Sequence, residues 1–142
     1  MTTEAQRLRA AIARTDRLLN KHSGTDAMTR TQLSVLGAVA RMSPHRLSGL
    51  AAREGLNPTM LSRVVGSLET DGLVRRRPAD DDGRQIVAEI TPAGAVLYER
   101  HQKERTVLIE DYVASLSASD ATRLWKALPL LEGLAEHLQA QA

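Results

Sequence analysis

The 142-residue chain has no cysteine and no phenylalanine, and aromatic residues make up only 2% of it. The lack of Cys excludes disulfides, thiol nucleophiles, thiol redox sensors and Cys-containing zinc sites together. With so few rings, a core must be built from Ala, Leu and Val, which favours closely packed helices. The hydrophobic content of 42% is ordinary, and the length fits one domain with a real core. No apolar run approaches the roughly 20 residues needed to span a bilayer, and the start Met1-Thr2-Thr3-Glu4-Ala5-Gln6-Arg7 is too polar for a signal peptide. A cytoplasmic protein with no membrane partner is the expectation. There is also no nucleophile beside a base, no carboxylate pair placed for a cleft and no Gly-rich phosphate loop, so no catalytic residue, cofactor or enzymatic activity is expected. The four histidines, His22, His45, His101 and His137, fall in no ligand spacing, are expected at the surface and give no metal site. The formal charge is only +2, so a nucleic-acid partner must be argued from where the arginines lie.

What is present centres on residues 57–68. Asn57 is a good N-cap, and Pro58 falls where its missing N–H does no harm, so a helix starts there. Leu61, Val64, Val65 and Leu68 recur at helical spacing as an apolar stripe, which leaves Thr59, Ser62, Arg63, Gly66 and Ser67 on the other face. A solvated helix usually carries Glu and Lys there. A small, polar face with one arginine suits a DNA major groove instead, where short side chains permit close approach and Arg pairs bidentately with guanine. Arg63 is therefore the leading candidate for base contact. Pro58, Thr59, Ser62 and Ser67 share its reading, and Met60 either packs or touches a thymine methyl.

Around this helix the chain reads in order. Glu4 to about His22 is an amphipathic helix with Leu8, Ile12 and Leu19 on its apolar stripe, broken by Ser23-Gly24-Thr25-Asp26. Thr29, with Gln32 three residues on, is a capping box that opens a second helix burying Leu33, Leu36, Gly37 and Ala40 on one side. Leu47–Glu54 is a third helix, with Gly55 as its C-terminal cap, and Gly55-Leu56-Asn57 is the tight turn of a helix-turn-helix. Residues 73–77 and 85–90 make two strands joined by a polar turn, a hairpin with a charged tip. Within it Arg75, Arg76 and Arg77 alternate faces, so only some of them can meet phosphate. Asp82 is expected to pair with a neighbouring arginine, and Asp80 and Asp81 to sit in solvent. Thr91-Pro92 opens a long helix to about Leu116. A last helix carries Leu124, Leu128, Leu131 and Leu138 at near-heptad spacing, with a kink expected at Pro129.

Helix-turn-helix plus charged hairpin is a winged helix. Residues 50–63 (Leu50-Ala51-Ala52-Arg53-Glu54-Gly55-Leu56-Asn57-Pro58-Thr59-Met60-Leu61-Ser62-Arg63), then Leu68-Glu69-Thr70-Asp71-Gly72-Leu73-Val74, Asp82-Gly83-Arg84 and Thr91-Pro92-Ala93-Gly94 together resemble the MarR family of bacterial transcriptional regulators. The resemblance implies a mainly α fold with a small β-hairpin wing. It divides the single domain into a winged helix-turn-helix over 29–91 and dimerisation helices over 1–28 and 92–142. It further implies a homodimeric repressor on a pseudo-palindromic operator of double-stranded DNA, released by a small-molecule effector, with Asp82 and Arg84 as the wing tip and Arg84 in the minor groove. Thr31, Arg46, Ser48, Arg75 and Arg77 are the candidate phosphate contacts. The chain departs from the family pattern at Arg46, where Ser or Thr usually caps the third helix, and at Gln85, where a small residue is common. The space between the end helices and the winged helix is where an effector is expected, because pockets favour such junctions. A winged-helix module that holds another protein through the same surface is the alternative from a different class.

Overall fold

The computed structural model describes residues 1–23 and 28–141. The elements run α1 (Glu4–His22), α2 (Arg30–Arg41), β1 (His45–Arg46), α3 (Leu47–Glu54), α4 (Pro58–Thr70), β2 (Val74–Pro78), β3 (Ile86–Ile90), α5 (Pro92–Ala114) and α6 (Ala118–Ala140). They fall into two compact units, Met1–Arg105 and Thr106–Ala142. The break expected after α1 at Gly24, Thr25 and Asp26 lies outside the described residues; Ser23 is the C-cap. Among the described residues no helix is long and apolar enough to cross a membrane.

In the first unit the local signals produce the helix ends. Thr29 and Gln32 form a reciprocal capping box at the start of α2, satisfying two backbone N–H groups that the first turn would leave orphaned. Gly55 closes α3 at φ 64, a left-handed conformation that costs a residue without a Cβ little. Asn57 accepts from the Met60 N–H and Pro58 occupies the first turn of α4. The core is made of Leu36, Val35 and Val39 from α2, Leu50 from α3, Leu61, Val65 and Leu68 from α4, and Val74 and Ala88 from the sheet. Expected to bury one side, α2 instead buries five consecutive residues, Val35 to Val39. It is the axis of the unit, and contacts on every side replace the one-faced pattern of a surface helix.

The sheet has three strands where two were expected, in the antiparallel order β1-β3-β2. The additional strand pairs His45 with Ala88 and Arg46 with Val87, and so ties the start of α3 to the wing. The hairpin holds the register Val74 to Ile90 through Pro78 to Ile86. At its base, Thr91 donates its N–H to the Leu73 carbonyl at 3.1 Å and its hydroxyl to the Gly72 carbonyl at 2.6 Å, and that hydroxyl accepts from the Gly94 N–H at 3.0 Å. The start of α5 lies so close to β2 here that a Cβ on Gly94 would stand 2.0 Å from the Leu73 carbonyl oxygen.

In the second unit Ser117 caps α6 through the Asp120 N–H, and α6 continues as one helix through Pro129. Neither α1 nor α6 buries a single residue, and Leu8, Ile12, Leu128, Leu131 and Leu138 of their apolar stripes are all exposed.

Candidate nucleic-acid interface

Helix α4 separates its two jobs by face. Leu61, Val65 and Leu68 are buried, whereas Pro58, Thr59, Met60, Ser62 and Arg63 are exposed. Arg63 makes no hydrogen bond or ion pair with any other described residue, so its guanidinium is available to a partner. The outward set is narrower than the sequence spacing predicts. Ser67 is half-buried, and its hydroxyl accepts from Gln32 Nε2 of α2 at 2.9 Å, so it joins two helices. Gln32 serves twice, since its Oε1 also completes the capping box.

The wing behaves differently, because all its arginines are paired. Arg84 Nε lies 3.3 Å from Asp82 Oδ1, and the same oxygen accepts the Arg84 N–H at 3.1 Å, which folds the tip as expected. Asp80 and Asp81 are in solvent, as expected. Each is exposed but ion-paired, Asp80 to Arg77 at 3.1 Å and Asp81 to Arg46 at 2.5 Å. Glu89 takes Arg75 at 2.8 Å and Arg77 at 3.4 Å. Glu69 takes Arg76 at 3.2 Å, and Arg76 also reaches Ser62 Oγ at 3.4 Å. Hydrogen bonds hold both glutamates ionised: the Arg76 backbone N–H and then its guanidinium lower the pKa of Glu69, and Arg75 followed by Arg77 lower that of Glu89. Arg46 occupies the N-cap of α3 without a side-chain cap, having turned to Asp81 instead. Ser48, in the first turn of α3, is exposed. Thr31, exposed in the first turn of α2, lines a cavity.

That cavity, of about 440 Å³, opens among α1, α2 and α5 within the first unit. Its wall is polar. Asp16 of α1 bridges Arg30 of α2 and Arg105 of α5, at 2.5 and 2.8 Å. The Tyr98 hydroxyl accepts from Arg41 at 2.9 Å and from Gln102 at 3.0 Å. Arg105 Nε is buried and has no hydrogen-bond partner among the described residues. His101, expected at the surface, is buried at 3% exposure against Ser23, its Nδ1 3.0 Å from the hydroxyl. Because Ser23 Oγ donates to the Asn20 carbonyl at 3.0 Å, the proton of the His101 contact belongs on Nδ1. A lone histidine on a charged helix carries no sequence signal for this. His45 is half-buried and the other two are exposed; among the described residues no three His, Asp or Glu side chains gather as a metal site.

Helices α2 to α4 and the β2–β3 hairpin form a winged helix-turn-helix with long helices before and after it, the architecture of a DNA-binding regulator. The MarR family model matches residues 28–86. The uncharacterised HTH-type transcriptional regulator Mb0904 of Mycobacterium bovis is 30% identical over 132 residues, covering 93% of this chain and 92% of that protein. The multiple antibiotic resistance protein MarR of Salmonella typhimurium is 28% identical over 116 residues, covering 77% and 76%. In fold, the chain is similar to RV1404 from Mycobacterium tuberculosis (TM-score 0.81, 22% identity, 96% and 97% coverage) and to wild-type MarR from E. coli (0.78, 21%, 92% and 97%). The chain belongs to the MarR family of transcriptional regulators.

Proposed function

We propose that this regulator is a homodimeric repressor that places two copies of α4 in successive major grooves of a pseudo-palindromic operator and leaves it when a small ligand binds. The observation that carries the reading is the exposed, unpaired Arg63 on a helix whose opposite face is anchored in the core. Arg63 reads a base, Thr59 and Ser62 lie close to the groove floor, and Arg84 enters the minor groove at the wing tip. Thr31, Ser48, Arg46, Arg75 and Arg77 supply the phosphate contacts, the last three after exchanging a carboxylate for a phosphate. Dimerisation is supported by the apolar stripes of α1 and α6, which a single chain leaves in water. The effector enters the polar cavity among α1, α2 and α5, where the unsatisfied Arg105 Nε awaits an acceptor.

Selection of bound sequences from random duplex DNA tests the reading. It should return a palindrome with half-sites about one helical turn apart, and sedimentation should give twice the 15.5 kDa chain mass. A selection without consensus would overturn it. One observation favours the alternative of a protein partner: the wing arginines are all neutralised within the chain. Competition by random duplex over a salt series separates the two, since a protein interface lacks the steep salt dependence of phosphate contacts.

A further inference from the structure

Of the four methionines, Met28 packs against the core, Met1 is the chain terminus, and Met42 at the end of α2 receives the Arg53 guanidinium on its sulfur at 3.7 Å. Met60 has none of these uses. It is 50% exposed, belongs neither to the core nor to the apolar residues packed on it, and its side chain makes no hydrogen bond with a described residue. The alternative that it packs inward is therefore removed. Among the outward residues of α4 it is also the one long apolar side chain, since Thr59 and Ser62 are short and polar and Arg63 is charged. Water gives such a side chain no stabilisation, and a partner that covers it with an apolar group does.

Its place on α4 says which group that is. Met60 is the third residue of the helix, inside the first turn, and long side chains on a helix lean toward its N-terminus. That is the end a recognition helix presents to base edges. In the major groove those edges offer hydrogen-bonding groups and a single apolar one, the C5-methyl of thymine. Resting on the DNA-binding reading, we infer that Met60 is a specificity-determining residue that packs its thioether on a thymine methyl and so selects T·A at one position of each half-site. Cytosine lacks that methyl and presents an amino donor that Met60 cannot use. Met60 and Arg63 stand three residues apart on one face, about 5–6 Å from each other, so the thymine lies about one or two base pairs from the guanine that Arg63 reads.

The test removes the methyl and nothing else. In the selected operator each thymine in turn, with its symmetry mate, is replaced by deoxyuridine, and wild type, Met60→Ala and Met60→Leu are titrated against every duplex and a scrambled one at one salt concentration. For wild type, one position should cost about fourfold per half-site and about fifteenfold for the pair, the effect of one buried methyl, while other thymines should matter less than about twofold. That position should lie within about two base pairs of the guanine at which Arg63→Ala loses discrimination. Met60→Ala should lose at least as much on the intact operator, little on the scrambled duplex, and nothing further from deoxyuridine at that position. Met60→Leu, which keeps an apolar side chain, should retain most of the methyl sensitivity. Circular dichroism melts should coincide for all three proteins, because Met60 supports no core contact. A wild type indifferent to every methyl, a half-site without thymine, equal methyl sensitivity in wild type and Met60→Ala, or an equal loss by Met60→Ala on operator and scrambled duplex would overturn the inference while leaving the DNA reading intact. Wild type that selects no consensus would remove both.

Discussion

Gly94→Ala adds one methyl group at the start of α5, and it should be among the most damaging small changes in the chain. The added Cβ would stand 2.0 Å from the Leu73 carbonyl oxygen and 2.8 Å from Ile90 Cδ1. The Ile90 methyl can rotate away; the carbonyl belongs to the backbone and cannot. Restoring ordinary contact requires the start of α5 to move by more than 1 Å, which breaks the Thr91 N–H bond to Leu73 and strains the Thr91 hydroxyl bond to Gly72. Overpacking costs about 1–3 kcal/mol, and the two hydrogen bonds contribute about 1 kcal/mol each. Ala recovers about 1 kcal/mol of helix propensity over Gly. The net expectation is a loss of about 2–4 kcal/mol. Urea unfolding followed by circular dichroism, at one protein concentration because assembly shifts the midpoint, measures it. A variant within about 0.5 kcal/mol of wild type, or more stable, would show that α5 is free to slide and would refute the close-approach reasoning.

Three further outcomes follow from the site. Arg63→Ala should cost about 1–3 kcal/mol per half-site on the operator and much less on scrambled DNA, and Arg63→Lys should recover part of the affinity but little discrimination; an equal loss on both duplexes would reassign Arg63 to phosphate. Arg84→Ala should weaken binding to operator and unrelated DNA alike and, with one wing lost from each subunit of a dimer, flatten the salt slope by about 1.8; unchanged binding would remove the wing tip from the groove. For His101, burial first and then the Arg105 charge lower the pKa, against an opposing contribution from Glu104, so the native state binds this proton less readily than the unfolded chain. Its neutral form is the one the fold accommodates, and stability should fall as pH drops below the ordinary histidine range near 6.5. Thermal melts between about pH 7.5 and 5.5 should show that fall reduced in His101→Gln; parallel pH profiles would count against it.

The helix boundaries were legible because each rests on chemistry within four residues. Thr29 with Gln32, Gly55, and Asn57 with Pro58 each satisfy or terminate a local hydrogen-bond pattern, and they stand where the sequence places them. What escaped depends on contacts distant in the chain. The strand His45–Arg46 is defined only by its partners Ala88 and Val87, and two polar residues carry no alternation to read. Ser67 sits at the edge of the exposed arc of α4, so its side is decided by Gln32, which is 35 residues away. His101 is buried by Ser23 at a separation of 78 residues. The acidic turn showed its three carboxylates plainly, but which arginine each would take depended on how β1 and the hairpin came together.

The division of α4 into two faces also bears on how this regulator can change over generations. Leu61, Val65 and Leu68 are buried in the core, and Thr59 and Arg63 are exposed and lie outside it. Replacements on the outward face therefore cost the scaffold little, and if that face reads the operator as proposed, gene duplication followed by drift at these positions yields relatives of equal stability that answer to different operators. The axis helix α2 has no such latitude, since Val35 to Val39 meet neighbours on all sides. New preferences should accumulate on one surface of one helix while the interior stays fixed.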